Sequence, residues 1–116
     1  MSNDIPKYLY DALDAVKAIE MFTSGVTYPI YLQQNMIQAA VERKFEIIGE
    51  ALHRVEHADS NIFEQIPDAR RIVGFRNILA HGYDVIDQEV VWDVIKRHLL
   101  PLKAKLQQLL AGYDKP

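Results

Sequence analysis

The sequence IYLQQNMIQAAVERKFEIIGEALHRV, residues Ile30 to Val55, decides the fold class. Its apolar residues recur every three or four positions, which is the period of one face of an α-helix. At 1.5 Å per residue this segment predicts a helix of ~36–39 Å, the longest in the chain. The other faces carry more polar groups than a fully buried helix accepts, so the helix is predicted to be amphipathic: Gln34, Gln38, Glu42, Arg43, Glu46 and Glu50.

A second amphipathic helix is predicted ahead of this segment, from Asp4 to Thr23. Its apolar stripe alternates spacings of four and three, with Tyr8, Ala12, Ala15, Ile19 and Phe22. Ser2, Asn3 and Asp4 offer side chains that can cap its start. Ser24-Gly25 is expected to end it, and Thr27-Tyr28-Pro29 marks a turn before the long helix.

Two further helices are predicted after the long one. Residues 57–60 are interpreted as a loop and 61–65 as one short helical turn, after which Asp68 is a possible cap for a helix over 69–81. Gly82 follows where a helix often ends. The last helix is predicted from Asp87 to Gly112, with a kink near His98 because Pro101 removes a backbone hydrogen bond.

No segment alternates polar and apolar residues as a half-buried strand does, so the fold class is predicted to be all-α. The simplest arrangement is an up-and-down bundle of four main helices with the short extra turn near 61–65. The 116 residues are expected to form one domain over 1–116. A chain of this length is near the size at which a second subunit helps to bury surface, which favours a dimer.

Composition excludes several classes of protein. The chain has no cysteine, which rules out a disulfide scaffold and a thiolate metal site. It has no leader-like start and no run of ~18 apolar residues, so a cytoplasmic protein without a membrane segment is expected. The net charge of −3 is uneven, because residues 1–67 hold five Lys/Arg and ten Asp/Glu (−5) and residues 68–116 hold eight and six (+2). An anionic ligand is therefore expected at the C-terminal half.

The segment RNILAHGY, residues Arg76 to Tyr83, is the candidate functional site. It brings a guanidinium, a carboxamide, an imidazole and a phenol to the end of an otherwise apolar helix. On a regular helix, Ile72, Phe75, Ile78 and Leu79 form a core-facing arc, whereas Arg70, Gly74, Asn77 and His81 form an opposite row within about 60°.

Arg76 and His81 are five residues apart, which is about 140° around a regular helix. Their side chains converge only if the helix ends or distorts near Gly82, or if a second copy of the chain completes the site. Taken singly, each of these side chains is more often a solvated or packing group than a functional one. The spacing alone therefore does not decide whether this segment is a functional site.

The segment also resembles a known family. Arg76, His81 and Tyr83 match the R-x4-H-x-Y signature of HEPN-domain proteins, and the sequences over 42–51 (ERKFEIIGEA) and 74–83 (GFRNILAHGY) are similar to those of the HepT-like branch. The resemblance extends over essentially the whole chain. One departure is Asp68, since members of the family often carry a Trp after the Ile-Pro pair that here is Ile66-Pro67.

The resemblance implies a metal-independent endoribonuclease that is the toxin of a toxin–antitoxin pair and forms a homodimer with its two motifs facing one cleft. Arg76 would stabilise charge on the phosphate, His81 would transfer the proton, and Asn77 would orient substrate or His81. The antitoxin would be a minimal nucleotidyltransferase that adds AMP to the hydroxyl of Tyr83.

Substrate contacts are expected from Arg70, Gly74 and Arg43, and the basic half offers a wider set of candidates for binding RNA phosphates: Arg70, Arg71, Lys96, Arg97 and Lys103. No cofactor and no metal ion is expected, because the 2′-hydroxyl of RNA is itself the nucleophile and the chain has no HExxH or Asp-rich motif.

Two other functions remain open from the sequence. The same basic residues suit a non-catalytic helical partner of a nucleotidyltransferase that binds a nucleotide phosphate. A helical dimerisation domain with a purely structural motif is the third hypothesis, and it is ranked last because exposed polar residues on a helix seldom contribute much stability.

Overall fold

A computed structural model describes the backbone of residues 4–81 and 86–114, and the side chains of these residues except 76–78, 80, 81 and 114. Within these ranges the regular structure consists of seven helices: α1 (Ile5–Thr23), α2 (Tyr28–Gln33), α3 (Asn35–Ala58), α4 (Ser60–Glu64), α5 (Ala69–His81), α6 (Gln88–Arg97) and α7 (Leu99–Asp114). The predicted all-α class is confirmed. Four main helices and one short turn were predicted. Seven helices are found in these ranges because the predicted helices over 30–55 and 87–112 are each divided in two.

Helix α3 lies at the centre and packs against α1 on one side and α5 on the other, while α7 packs against α1. Its buried face is the predicted stripe from Val41 to Val55. The facing residues of α1 recur at spacings of three and four and are also buried: Leu9, Ala12, Val16 and Ile19. Apolar burial along this stripe is the main favourable contribution to folding.

The predicted continuous helix from Ile30 to Val55 is wrong at Gln34, whose φ of −111° and ψ of 83° lie outside the helical region. The break turns Tyr31 into the core, where its side chain is fully buried. Gln38 Nε2 donates to the carbonyl oxygens of Tyr31 (2.9 Å) and Leu32 (3.2 Å), which replaces part of the interrupted backbone bonding. Leu32 and Met36 fit the apolar period of the segment 30–55 and would be buried on a continuous helix, but they are 46% and 84% exposed.

The predicted kink near His98 is a complete break between α6 and α7. The amide of His98 donates to the carbonyl of Val94 (3.0 Å), and the carbonyl of His98 accepts from the amide of Leu102 (3.3 Å). Pro101 therefore lies in the first turn of α7, where a missing N–H costs no internal hydrogen bond. The predicted stop at Gly112 is wrong, since α7 continues to Asp114.

The connection between α3 and α5 is more helical than predicted. Helix α3 continues through His57 and Ala58, and Asp59 caps α4 by accepting from the amides of Asn61 (3.0 Å) and Ile62 (3.2 Å). The carbonyl of Asp68 accepts from the amide of Ile72 (2.9 Å) at the start of α5. None of the helices in the described ranges is both long and apolar enough to cross a bilayer.

A chain of hydrogen bonds connects α2, α6 and α3. The Tyr31 hydroxyl donates to Gln88 Oε1 (2.7 Å), and Gln88 Nε2 donates to Glu42 Oε2 (2.6 Å). Burial, followed by the nearby Glu42 carboxylate, raises the pKa of the Tyr31 phenol above its ordinary value of 10.0. The first residue of α6 is thereby fixed against the central helix.

Replacing Tyr31 by Phe is expected to lower the free energy of unfolding by about 1 kcal/mol at neutral pH, because Gln88 loses a buried partner. The contribution of the phenol to stability is fully present below pH 10 and is lost as pH rises toward the raised folded pKa, with a slope of about 1.4 kcal/mol per pH unit. Urea unfolding of both proteins at pH 7 and at several values above pH 10 measures the difference. A deficit that stays constant over this range would contradict the assignment.

Candidate active site

The motif helix α5 is fixed to α3 by the core-facing arc that the sequence predicts. Ile72 is 1% and Phe75 is 9% exposed, and Leu79 is partly buried against the same core. The ring of Phe75 meets that of Phe45 edge to face, with centroids 5.4 Å apart. The opposite face of α5 therefore points outward, as the exposed Arg70 and Gly74 show.

The catalytic side chains proposed from the motif lie outside the described side chains. The backbone at Arg76, Asn77 and His81 is helical, and α5 ends at His81 as predicted. Tyr83 lies outside the described residues. The convergence of Arg76 and His81 and the role of Tyr83 therefore stay predictions.

Arg70 is on the outward face but is already paired. Its Nη2 lies 2.9 Å from Glu56 Oε2 and 3.1 Å from Glu64 Oε1, and its guanidinium stacks 5.1 Å from the ring centre of Phe63. The hydrogen bonds to Glu64 and Glu56 raise the pKa of Arg70. Two carboxylates thus offset the single positive charge that was predicted to contact substrate.

Gly74 lies beside an open, mostly apolar cavity of about 300 Å³ between α5 and α6, lined by Arg71, Phe75, Val90 and Val94. A Cβ atom built on Gly74 meets nothing within 4 Å. The backbone of α5 is consequently accessible at this position, one turn before Asn77.

Arg43 is on a different surface. It lines a groove of about 410 Å³ between α1 and α3 that also contains Lys7, Asp11 and Lys44, and its Nη1 lies 3.4 Å from Glu46 Oε1. Neither Arg70 nor Gly74 lines this groove. The structure therefore does not bring together the three residues predicted to contact substrate.

A polar cluster that the sequence analysis missed joins the start of α5 to the junction of α6 and α7. His98 Nδ1 lies 2.7 Å from Asp68 Oδ2, and His98 Nε2 lies 3.1 Å from Arg71 Nη1. Arginine can only donate, so Nε2 is the acceptor and Nδ1–H donates to Asp68. Pro101 signals a break near His98 but contains no information about a partner thirty residues earlier.

Asp93 joins this cluster to α6. Its Oδ1 lies 2.9 Å from Arg97 Nε, and its Oδ2 lies 4.0 Å from Arg71 Nη2 and 3.8 Å from His98 Nε2. Arg71 is thereby oriented at the edge of the Gly74 cavity. Among the side chains that the structure describes, no three carboxylate or imidazole groups are placed to hold a metal ion.

Together the fold and the motif define a class: a small all-α protein with an Arg–His motif on a helix that is anchored to a long central helix. The family model described as ribonuclease HepT-like matches residues 12–109. The chain therefore belongs to the HepT-like ribonuclease family.

Two relatives whose names include RNase or ribonuclease align with nearly the whole chain. A Methanocaldococcus jannaschii protein named "Putative RNase MJ1380" is 33% identical over 104 residues, which is 90% of this chain and 94% of that protein. A Thermococcus cleftensis protein named "Probable ribonuclease HepT" is 33% identical over 102 residues, which is 88% of this chain and 92% of that protein. No solved structure matches the chain significantly.

Replacing Gly74 by Ala is expected to raise the free energy of unfolding by about 0.5–1 kcal/mol, because a helix-interior alanine costs less backbone entropy and the added methyl group meets open space. The matched control is Gly25→Ala, where φ of +73° makes the same substitution destabilising. Urea denaturation measures both variants. A loss of stability in Gly74→Ala similar to that in Gly25→Ala would contradict an accessible backbone at position 74.

Proposed function

We propose that this chain is a metal-independent endoribonuclease that acts as the toxin of a toxin–antitoxin pair. The observation that carries the proposal is the R-x4-H-x-Y motif of Arg76, His81 and Tyr83 in a member of the HepT-like ribonuclease family, with Arg76 and His81 on the anchored helix α5.

RNA cleavage by this motif needs only a proton transfer and a stabilised charge. The ribose 2′-oxygen attacks the adjacent phosphorus and the bond to the 5′-oxygen of the next nucleotide breaks, leaving a cyclic phosphate. His81 serves as the base or acid for these proton transfers, which contribute about 10²–10⁴-fold to the rate. Arg76 stabilises the negative charge on the phosphate oxygens, and Asn77 orients the substrate or the imidazole.

The active form in this proposal is a homodimer. Helix α5 keeps helical backbone through His81, and on a regular helix Arg76 and His81 are about 140° apart. Two copies of α5 facing one cleft would supply the guanidinium of one motif and the imidazole of the other to the same phosphate. The open backbone at Gly74 supports close approach of a substrate to this face.

The proposed antitoxin is a minimal nucleotidyltransferase encoded with this chain. It would transfer AMP from ATP to Tyr83: the phenol oxygen attacks the α-phosphorus, pyrophosphate leaves, and the phenol proton passes to solvent or a base of the partner. The product carries a negative charge two residues from His81, where it would compete with the phosphate of RNA.

Arg76→Ala and His81→Ala are each expected to lower the rate of RNA cleavage by about 10²–10⁴-fold, because each removes a group that acts on the reacting phosphate. The assay follows a labelled RNA with purified protein in buffer that contains EDTA. Far-ultraviolet circular dichroism should not change.

Arg54→Ala is the matched control, since it removes an exposed guanidinium paired with Glu50 on the groove between α1 and α3. Cleavage by the two motif variants at the wild-type rate would overturn the proposal. Saturable nucleotide binding without cleavage under any condition would favour the non-catalytic binding partner instead.

Incubation with ATP and the co-encoded nucleotidyltransferase is expected to add mass in units of AMP, as measured by intact-mass spectrometry. Tyr83→Phe should abolish the addition, because it removes the accepting oxygen and leaves the ring. Addition that persists in Tyr83→Phe would assign the modification to another residue, and no addition to the wild type would contradict this mode of neutralisation.

A further inference from the structure

An open groove of about 760 Å³ lies on the outer face of α6, between α2 and the start of α5. Its aromatic lining residues are Tyr28 and Trp92, and its basic ones are Arg71, Lys96 and Arg97. We call this surface the α6 groove. It combines aromatic rings with long cationic side chains, a combination that suits single-stranded nucleic acid.

The α6 groove is continuous with the outward face of the motif helix. Arg71 and Val90 line both the groove and the cavity beside Gly74. Arg71 lies three residues before Gly74 on α5, which is about 4.5 Å along the helix axis and about 60° around it. A strand that contacts the motif face can therefore extend into the groove over a short distance.

Trp92 supplies a partly buried ring that packs against two tyrosine rings. Its centroid lies 4.9 Å from that of Tyr31 and 5.8 Å from that of Tyr28, so the ring is held in position by packing. Lys96 Nζ lies 4.7 Å from the same ring centre. The ammonium group is on a flexible stem and can leave the ring for a phosphate when a planar group stacks there.

The basic end of the groove has an excess of positive charge. Asp93 is the single carboxylate between Arg71 and Arg97, and Lys96 adds a third cation beside it. The acidic groups Asp87 and Glu89 are at the opposite end of α6, where Asp87 accepts from the amide of Glu89 (3.0 Å) and caps the helix. The side chain of Arg97 is 77% exposed and remains available to a ligand.

The positions of the other basic candidates separate them from this set. Arg70 pairs with Glu56 and Glu64, and Lys103 Nζ lies 2.9 Å from Glu20 Oε1 on the side of α7 that faces α1. Of the five cations that the sequence offered for phosphate contacts, Arg71, Lys96 and Arg97 line one groove and the other two do not.

We infer that the α6 groove binds the single-stranded RNA beside the cleaved phosphate, with one nucleobase stacked on Trp92 and neighbouring phosphates held by Arg71, Lys96 and Arg97. This inference rests on the proposed ribonuclease function and names where its substrate is held. Stacking on Trp92 accepts any base, whereas the three cations recognise only the backbone.

A protein partner fits this surface less well. Lysine, aspartate and glutamate are depleted at protein interfaces, and here Lys96 lies 4.7 Å from the ring centre while Asp87, Glu89 and Asp93 line the same groove. Val90 is the one large exposed apolar side chain of α6 among the described residues, and the others belong to α1, α2, α3 and α7 and do not line the groove.

Trp92 is the only tryptophan in the chain, so its fluorescence reports directly on the groove. A short, unstructured oligonucleotide with 2′-O-methyl groups cannot be cleaved by 2′-oxygen attack and serves as the probe. Saturable quenching of Trp92 that weakens as salt rises is expected. The matched control is the same backbone without bases, which should bind more weakly and leave the fluorescence nearly unchanged.

Variants separate stacking from charge, with affinity measured by fluorescence polarisation of a labelled probe. Trp92→Leu is expected to weaken binding about 5- to 150-fold, which corresponds to the loss of one stacked base, and Trp92→Phe less, because it keeps a ring. Lys96→Glu changes an exposed side chain and is expected to weaken binding about tenfold, because a phosphate contact is lost and a repelling charge is added. Lys17→Glu on α1 makes the same change of charge away from the groove and should leave affinity unchanged.

The outcomes distinguish this inference from the proposed function. RNA cleavage by the wild type without quenching, together with wild-type affinity in Lys96→Glu, would overturn the groove and leave the ribonuclease intact. Quenching by the probe without cleavage of natural RNA would support the groove and contradict the ribonuclease. Quenching by the co-encoded nucleotidyltransferase and not by the probe would overturn the inference and assign the groove to protein docking.

Discussion

The edge-to-face contact of Phe75 with Phe45 connects the motif helix to the central helix, and much of the candidate site depends on it. Both rings are buried, and Ile72 is buried one turn earlier on the same side of α5. With this face fixed, the rotation of α5 about its own axis is fixed too. The residues on the opposite side, including Gly74, must then face outward. Core packing thus sets the direction in which Arg70 and Gly74 of α5 face.

Apolar periodicity predicted the parts of the fold that depend on local sequence. The spacing of apolar residues and the positions of helix-breaking residues are enough to predict the bounds of α1 and α5 and the buried arc of Ile72 and Phe75. The breaks at Gln34 and His98 depend on partners far away in sequence, since Tyr31 bonds to Gln88 and His98 bonds to Asp68. A periodic pattern contains no information about such pairs, so a continuous helix was the natural but wrong prediction over 30–55.

The candidate site also has features that local sequence predicts and features that depend on the fold. The motif itself is recognised from its sequence pattern, because residue type and spacing are local properties. The choice among its basic neighbours is not local: Arg70 and Arg71 are adjacent in sequence, yet Arg70 is paired with Glu56 and Glu64 whereas Arg71 points into the α6 groove. Consecutive residues on a helix differ by about 100° in direction, and only the position of α3 and α6 around α5 decides what each one meets.

Asp68 connects the start of α5 to the junction of α6 and α7. Its φ of +61° places a non-glycine residue in the left-handed region, where Asp is among the residues that tolerate it best. In that conformation its carboxylate reaches His98 at 2.7 Å while its carbonyl starts α5. His98 ends α6 and orients Arg71 through its other ring nitrogen. The strained residue and the helix break are therefore parts of one connection, which holds the start of the motif helix against the basic end of the groove.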